Sequence, residues 1–278
     1  MWAQANAEVG PALWGQLLSG SSSDNLSTSL YEVLHNMIML RKTLAISALL
    51  ALGGLILTLE RGAYGVNPRL VLATGLLLIP LGATIVGLAV EKYWSRWLAL
   101  AGAFAVLPWA FVLTFGLPAG APLGQQTVAL VASVLLLVSL PGRAMFERYE
   151  GKAATDWSGP RMGLVRWTII LNIASVLGLF LFVVMYRSSI EWHLAIPAVL
   201  LSGILTGVLL LASQKTSGLI LVALSCVLFV PGGAYFVWQE ASHTGEMYLF
   251  AAAFLPGIIS GWACVFAFGK PMWAVLRG

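Results

Sequence analysis

The sequence predicts an all-α integral membrane protein: a bundle of about eight transmembrane helices preceded by an amphipathic helix at the cytoplasmic interface. Three observations predict it. Of 278 residues, 59% are hydrophobic and 9% charged, against roughly 25% charged in an ordinary soluble domain. So few polar groups cannot cover a water-facing surface. Eight apolar runs follow one another between residues 43 and 268, each close to the roughly 20 residues that carry a helix across about 30 Å of hydrocarbon. Lysine and arginine, finally, gather on alternate connections between those runs, as cytoplasmic loops do.

Residues 1–28 read as a flexible arm, because GSSSDN is linker chemistry. No basic n-region precedes the first apolar run, so no cleavable signal peptide is expected. Residues 29–42 form the interfacial helix. Ser29 and Glu32 fit an S-x-x-E capping box, which starts a helix at Leu30. Leu30, Val33, Leu34, Met37 and Ile38 then recur at the three-four spacing of one face, with Arg41 and Lys42 placed for anionic headgroups. The alternatives are a plain extension of the first span, or docking of Leu30, Leu34 and Met37 on a partner subunit.

The spans fall near 43–59, 70–90, 97–117, 123–140, 164–186, 192–212, 217–237 and 247–268. Residues 43–140 thus hold four, residues 164–268 four more, and 269–278 form a short cytoplasmic tail. The fourth is the weakest, with Gln125 and Gln126 at its entry and Pro141 at its end. A re-entrant pair with the third is its alternative. With eight spans, one side carries Arg41, Lys42, Lys92, Arg96, Arg143, Arg148, Lys152, Arg161, Arg166, Lys215, Lys270 and Arg277, and the other only Arg61, Arg69 and Arg187. That asymmetry places both termini in the cytoplasm. The bacterial inner membrane is the expected location. Trp94, Trp97 and Trp167 near one face, and Tyr186, Trp192, Trp238 and Tyr248 near the other, suit the headgroup layers.

Apart from Arg166, one turn inside the fifth span, the spans contain no Asp, Glu, Lys or Arg. Ion-driven pumps and voltage sensors need such groups at depth, so they are disfavoured. Enzyme chemistry is not expected either, since a nucleophile needs a base within reach and no His, Asp or Glu lies deep in the spans, His193 standing at the very edge of the sixth. No cofactor is expected. Cys226 and Cys264 lie singly in apolar runs and read as packing residues. Scattered basic residues form no stripe for nucleic acid.

Candidate residues remain in four groups. Gly203, Gly207, Gly257 and Gly261 make two G-x-x-x-G patterns, which let helix backbones approach, and Asn172 is placed for an interhelical hydrogen bond. Pro231, Gly232, Gly233 and Pro256 mark kinks that can line a cavity. Glu240, His243 and Glu246 are weak metal-ligand candidates, more simply a solvated acidic rim. In the cytoplasmic loop 141–163, Arg143 to Tyr149 suits a short helix with Met145, Phe146 and Tyr149 on one side. Arg143, Phe146 and Tyr149 there are the expected docking residues for a cytoplasmic partner, as in coupling helices that receive motion from an ATPase. A connector facing anionic lipid is the plainer alternative.

The residues match no family motif. The expectation is a permease-type membrane subunit moving a neutral or hydrophobic small molecule together with a cytoplasmic partner. Its expected partners are membrane lipids and other protein subunits. A non-catalytic scaffold or anchor subunit of a larger membrane complex is the alternative, and a sensory membrane module the third.

Overall fold

The computed structural model describes residues 23–63, 68–115, 123–151, 153, 160–186, 195–213, 215, 217–225, 227–228, 231 and 259. Every regular element among them is an α-helix, and no strand occurs among the described residues. By packing, the chain divides into Met1–Thr43 and Leu44–Gly278.

The first element, α1, runs without a break over Ser23–Ala63. This differs from the expected separate interfacial helix at 29–42. The capping-box pair Ser29 and Glu32 lies inside the helix, and residues 23–28 belong to it rather than to the arm. The reason is local: no glycine or proline occurs between Ser23 and Leu52, so nothing stops a helix that has started.

In the first unit Leu30, Tyr31, Val33, Leu34, Met37, Met39 and Leu40 are all exposed. The stretch Leu30–Thr58 is long and apolar enough to cross a membrane, and only 28% of its apolar window is buried. The core helix of a soluble protein would be mostly covered.

The second unit contains α2 (Pro68–Ala89), α3 (Tyr93–Phe115), α4 (Leu123–Ser139), α5 (Arg143–Tyr149), α6 (Pro160–Tyr186) and α7 (Ala195–Ala212). Residues 217–225 are helical as well. Proline opens α2 and α6, where its missing N–H costs nothing. Pro80 and Pro108 sit inside α2 and α3, which continue through them.

The centre is α3, which packs on α2, α4 and α6, while α6 also meets α7. Its buried residues explain this: Ala99, Ala101, Ala103, Ala105 and Ala110 face several directions, and small side chains let several neighbours close in. On α4 the two faces separate cleanly. Gln126, Ala129, Ala132, Ser133 and Leu136 are buried, whereas Val128, Val131, Val134 and Val138 are exposed. A soluble helix would carry charge on that outer stripe. Ile79 and Val86 on α2, Phe111 on α3, and Val199 and Leu209 on α7 repeat the pattern. These helices are apolar inside and apolar outside.

Three buried hydroxyls bond within their own helices. Thr84 donates to the Pro80 carbonyl at 2.6 Å, Ser133 to Ala129 at 2.8 Å and Ser175 to Leu171 at 3.1 Å. Such back-bonding lets a polar side chain sit in an apolar bundle without a partner on another helix.

Candidate functional site

One end of this unit gathers charges that elsewhere are scarce, and the local sequence explains how. Helix α2 stops in a Schellman motif: Lys92 N–H donates to the Gly87 carbonyl at 2.8 Å, and Glu91 N–H to that of Leu88 at 3.3 Å. The left-handed position of this motif usually belongs to glycine. Here it is filled by Glu91, with φ 58°, at a backbone cost of about 1 kcal/mol. The Glu91 carboxylate accepts a hydrogen bond from Arg148 Nη2 at 2.7 Å.

Helix α4 stops at Pro141 and Gly142. Gly142 has φ 113° and ψ 154°, a conformation that side chains rarely adopt. The chain turns there by 82° into α5. The seven residues of α5 bury Met145 and Tyr149, one turn apart. The Tyr149 hydroxyl donates to the Leu88 carbonyl at 3.0 Å. Burial pushes its phenol up to about 12; Glu91 adds to the rise, and Arg148 and Arg96 oppose it.

Glu150 follows directly as the C-cap of α5. Its Oε1 accepts from Arg96 Nη1 of α3, and its Oε2 accepts from Arg166 Nη1 of α6 at 3.0 Å. The carboxylate is fully buried, and the two arginine side chains are 6% and 15% exposed. Arg96 Nε also donates to the Leu140 carbonyl at the end of α4, at 3.0 Å. Both guanidiniums lie near the Phe146 ring, 5.9 Å from its centroid for Arg96 and 4.9 Å for Arg166. One buried carboxylate thus serves two guanidiniums, a group of net charge +1, and losing a partner that leaves a buried charge uncompensated costs about 3–5 kcal/mol. Through these contacts α5 and Glu150 tie together the ends of α2, α3, α4 and α6.

Of the three docking residues expected on α5, Arg143 is exposed and the other two are covered. Tyr149 lies inside the protein, and Phe146 is half-buried under two arginines. An amphipathic helix laid across helix ends turns its apolar face inward. What it offers outward is Arg143 and Glu147, 92% and 60% exposed, paired at 2.7 Å.

Leu30, Leu34 and Met37 are exposed on α1. Gly203 and Gly207 face the helix at 217–225, where a Cβ on Gly207 would stand 2.9 Å from the Val222 backbone nitrogen. Asn172 is buried, and its amide donates at 2.7 Å to the Thr168 carbonyl of its own helix. Pro231 is helical and exposed. Gly232, Gly233, Pro256, Gly257, Gly261, Glu240, His243 and Glu246 lie outside the described residues, as do Cys226 and Cys264. Among the described residues no three His, Cys, Asp or Glu side chains come together as a metal site.

Sequence reasoning missed Glu150, counted Arg96 as loop charge and placed Arg166 one turn inside the fifth span without a partner residue. Acidic residues in the connection between two arginine-bearing span ends were the available signal. Separations of 54 and 16 residues hide the meeting. No family model matches the chain, and neither a curated protein nor a solved structure matches it. Among the described residues, fold and site define a bundle of helices with apolar outer faces and an ion-paired end.

Proposed function

We propose that the chain is a multi-pass membrane subunit of the permease type. It moves a neutral or hydrophobic small molecule together with a cytoplasmic partner. The bundle has about eight spans, with both termini and α5 on the cytoplasmic side, most simply in a bacterial inner membrane. The observation that carries the reading is α5: a helix at 82° to α4, with its inner face fixed to the ends of four helices and its outer face charged. Motion applied to such a crosspiece reaches all four helices at once. The apolar outer stripes on α2, α4 and α7 support lipid as the surrounding medium.

The test is purification of the full chain in gentle detergent, with mass spectrometry of what elutes stoichiometrically. A co-eluting ATPase is expected. Its loss in the double variant Arg143→Glu with Glu147→Arg, which keeps the pair and inverts its polarity, would locate the contact on α5. Unchanged partner binding and unchanged transport in that variant would sink the coupling role.

A scaffold or anchor subunit of a larger membrane complex is the second reading. The back-bonded hydroxyls favour it, since they leave little polar lining between helices. Flux of an uncharged solute through reconstituted vesicles separates the two.

A further inference from the structure

We infer that α5 is a strap and that Glu150 is its lock: the ends of α3 and α6 stay together only while this carboxylate is inserted between Arg96 and Arg166. The inference rests on the membrane-subunit reading for its purpose, but on geometry for its existence. Arg96 and Arg166 belong to two helices packed directly on each other. Each reaches a different oxygen of the same carboxylate. Without it they are two neighbouring, largely buried positive charges, which repel strongly in a poorly screened interior. The carboxylate belongs to neither helix. It arrives on α5, so displacing α5 withdraws it.

Phe146 makes the lock a single unit. It sits one turn before Glu150 and faces the same two guanidiniums, so both sets of contacts leave with the same turn of helix. Gly142 enters α5 with φ 113°. At its far end a Cβ on Gly151 would stand 2.5 Å from the Glu147 carbonyl oxygen. Glycine therefore flanks the strap on both sides, at Gly142 because the backbone there strains any other residue and at Gly151 because a Cβ would meet the Glu147 carbonyl oxygen. The exposed Arg143–Glu147 pair lies on the same seven residues, so anything that binds there acts on the lock directly. The structure holds the locked state. In the released state α3 and α6 part at this end.

Hydrogen exchange of the full chain in lipid nanodiscs, without any partner, tests this. The amides of Phe146, Glu150 and Gly151 are bonded to the Gly142 and Phe146 carbonyls in the locked state. In Glu150→Gln their exchange is expected to rise about tenfold or more, while amides in the middle of α3 and α6 keep their protection. Adding Arg166→Gln to that variant removes the repulsion and restores part of the protection. A side chain that merely filled space would give no such rescue. Wild-type exchange in Glu150→Gln overturns the inference. So does equal loosening throughout α3 and α6, because Glu150 would then hold the whole fold and not a strap. If the strap releases as stated but no cytoplasmic subunit is ever found, the inference stands and the permease reading falls.

Discussion

Arg148 donates to Glu91 at 2.7 Å, and Glu91 is the residue that closes α2 in a left-handed conformation with φ 58°. An ion pair thus keeps a charged side chain where the backbone prefers glycine. Two substitutions separate the two terms. Glu91→Ala loses the pair and keeps the strain; Glu91→Gly loses the pair and relieves it. Chemical unfolding in detergent should find the alanine variant less stable than the glycine variant by about 1 kcal/mol. Equal stabilities would mean that the turn relaxes without the glutamate.

Tyr149 gives the fold an alkaline limit. Its phenol titrates near 10 when unfolded and is held up to about 12 in the folded protein, first by burial and then by Glu91. Between those values the unfolded chain binds fewer protons than the folded one, so stability falls as pH rises. The contribution is complete below pH 10 and disappears through pH 12. Tyr149→Phe removes it, along with a hydrogen bond to Leu88 worth about 1 kcal/mol. The variant should therefore be less stable than wild type at neutral pH, and the gap should narrow steadily from pH 10 upward. A gap independent of pH would place the phenol in water.

Much of the α5 region is legible in the sequence, because its apolar and charged residues alternate with a helix period over seven residues. The direction it faces is not. Met145, Phe146 and Tyr149 suit a partner as well as they suit the ends of α2 and α3, and only the fold decides. The same limit applies to α1, where the capping box at Ser29 and Glu32 suggested a start. The absence of glycine and proline from Ser23 to Leu52 was the stronger signal. Local propensity is visible in sequence, whereas the meeting of Arg96, Glu150 and Arg166 depends on how α3 and α6 pack.

Phe146 should matter by its ring face rather than its bulk. Phe146→Leu keeps most of the apolar volume but withdraws the electron-rich surface facing Arg166 at 4.9 Å and Arg96 at 5.9 Å. A partly desolvated cation–π contact contributes about 1 kcal/mol. In a double-mutant cycle with Arg166→Gln, the coupling energy should be of that size. A coupling near zero would leave Phe146 as packing alone.

The valine stripe of α4 tests the surroundings of the bundle. Val131 is exposed near the middle of the helix. On a water-facing surface Val131→Lys would be close to neutral. Facing hydrocarbon, a lysine at helix centre costs about 3 kcal/mol on insertion scales. Insertion of α4 into membranes should fall sharply in this variant, while Val131→Leu inserts as wild type. Full insertion of the lysine variant would contradict a lipid-facing α4.

Gly207 and Gly218 set how closely α7 approaches the helix that follows it. A Cβ on Gly218 would stand 2.5 Å from the Leu211 backbone nitrogen and 2.7 Å from the Gly207 carbonyl oxygen, and one on Gly207 would stand 2.9 Å from the Val222 nitrogen. These neighbours are main-chain atoms and cannot rotate away, so the helices themselves must part. Gly218→Ala should cost about 1–3 kcal/mol, the range for overpacking a filled interior. Gly102 on α3 supplies the contrast, since nothing stands within 4 Å of its Cβ position. There alanine should be neutral or gain up to about 1 kcal/mol from helix propensity. Thermal unfolding of the two variants side by side distinguishes close backbone contact from a general glycine effect. Equal shifts would mean that the small residues of α7 carry no packing constraint.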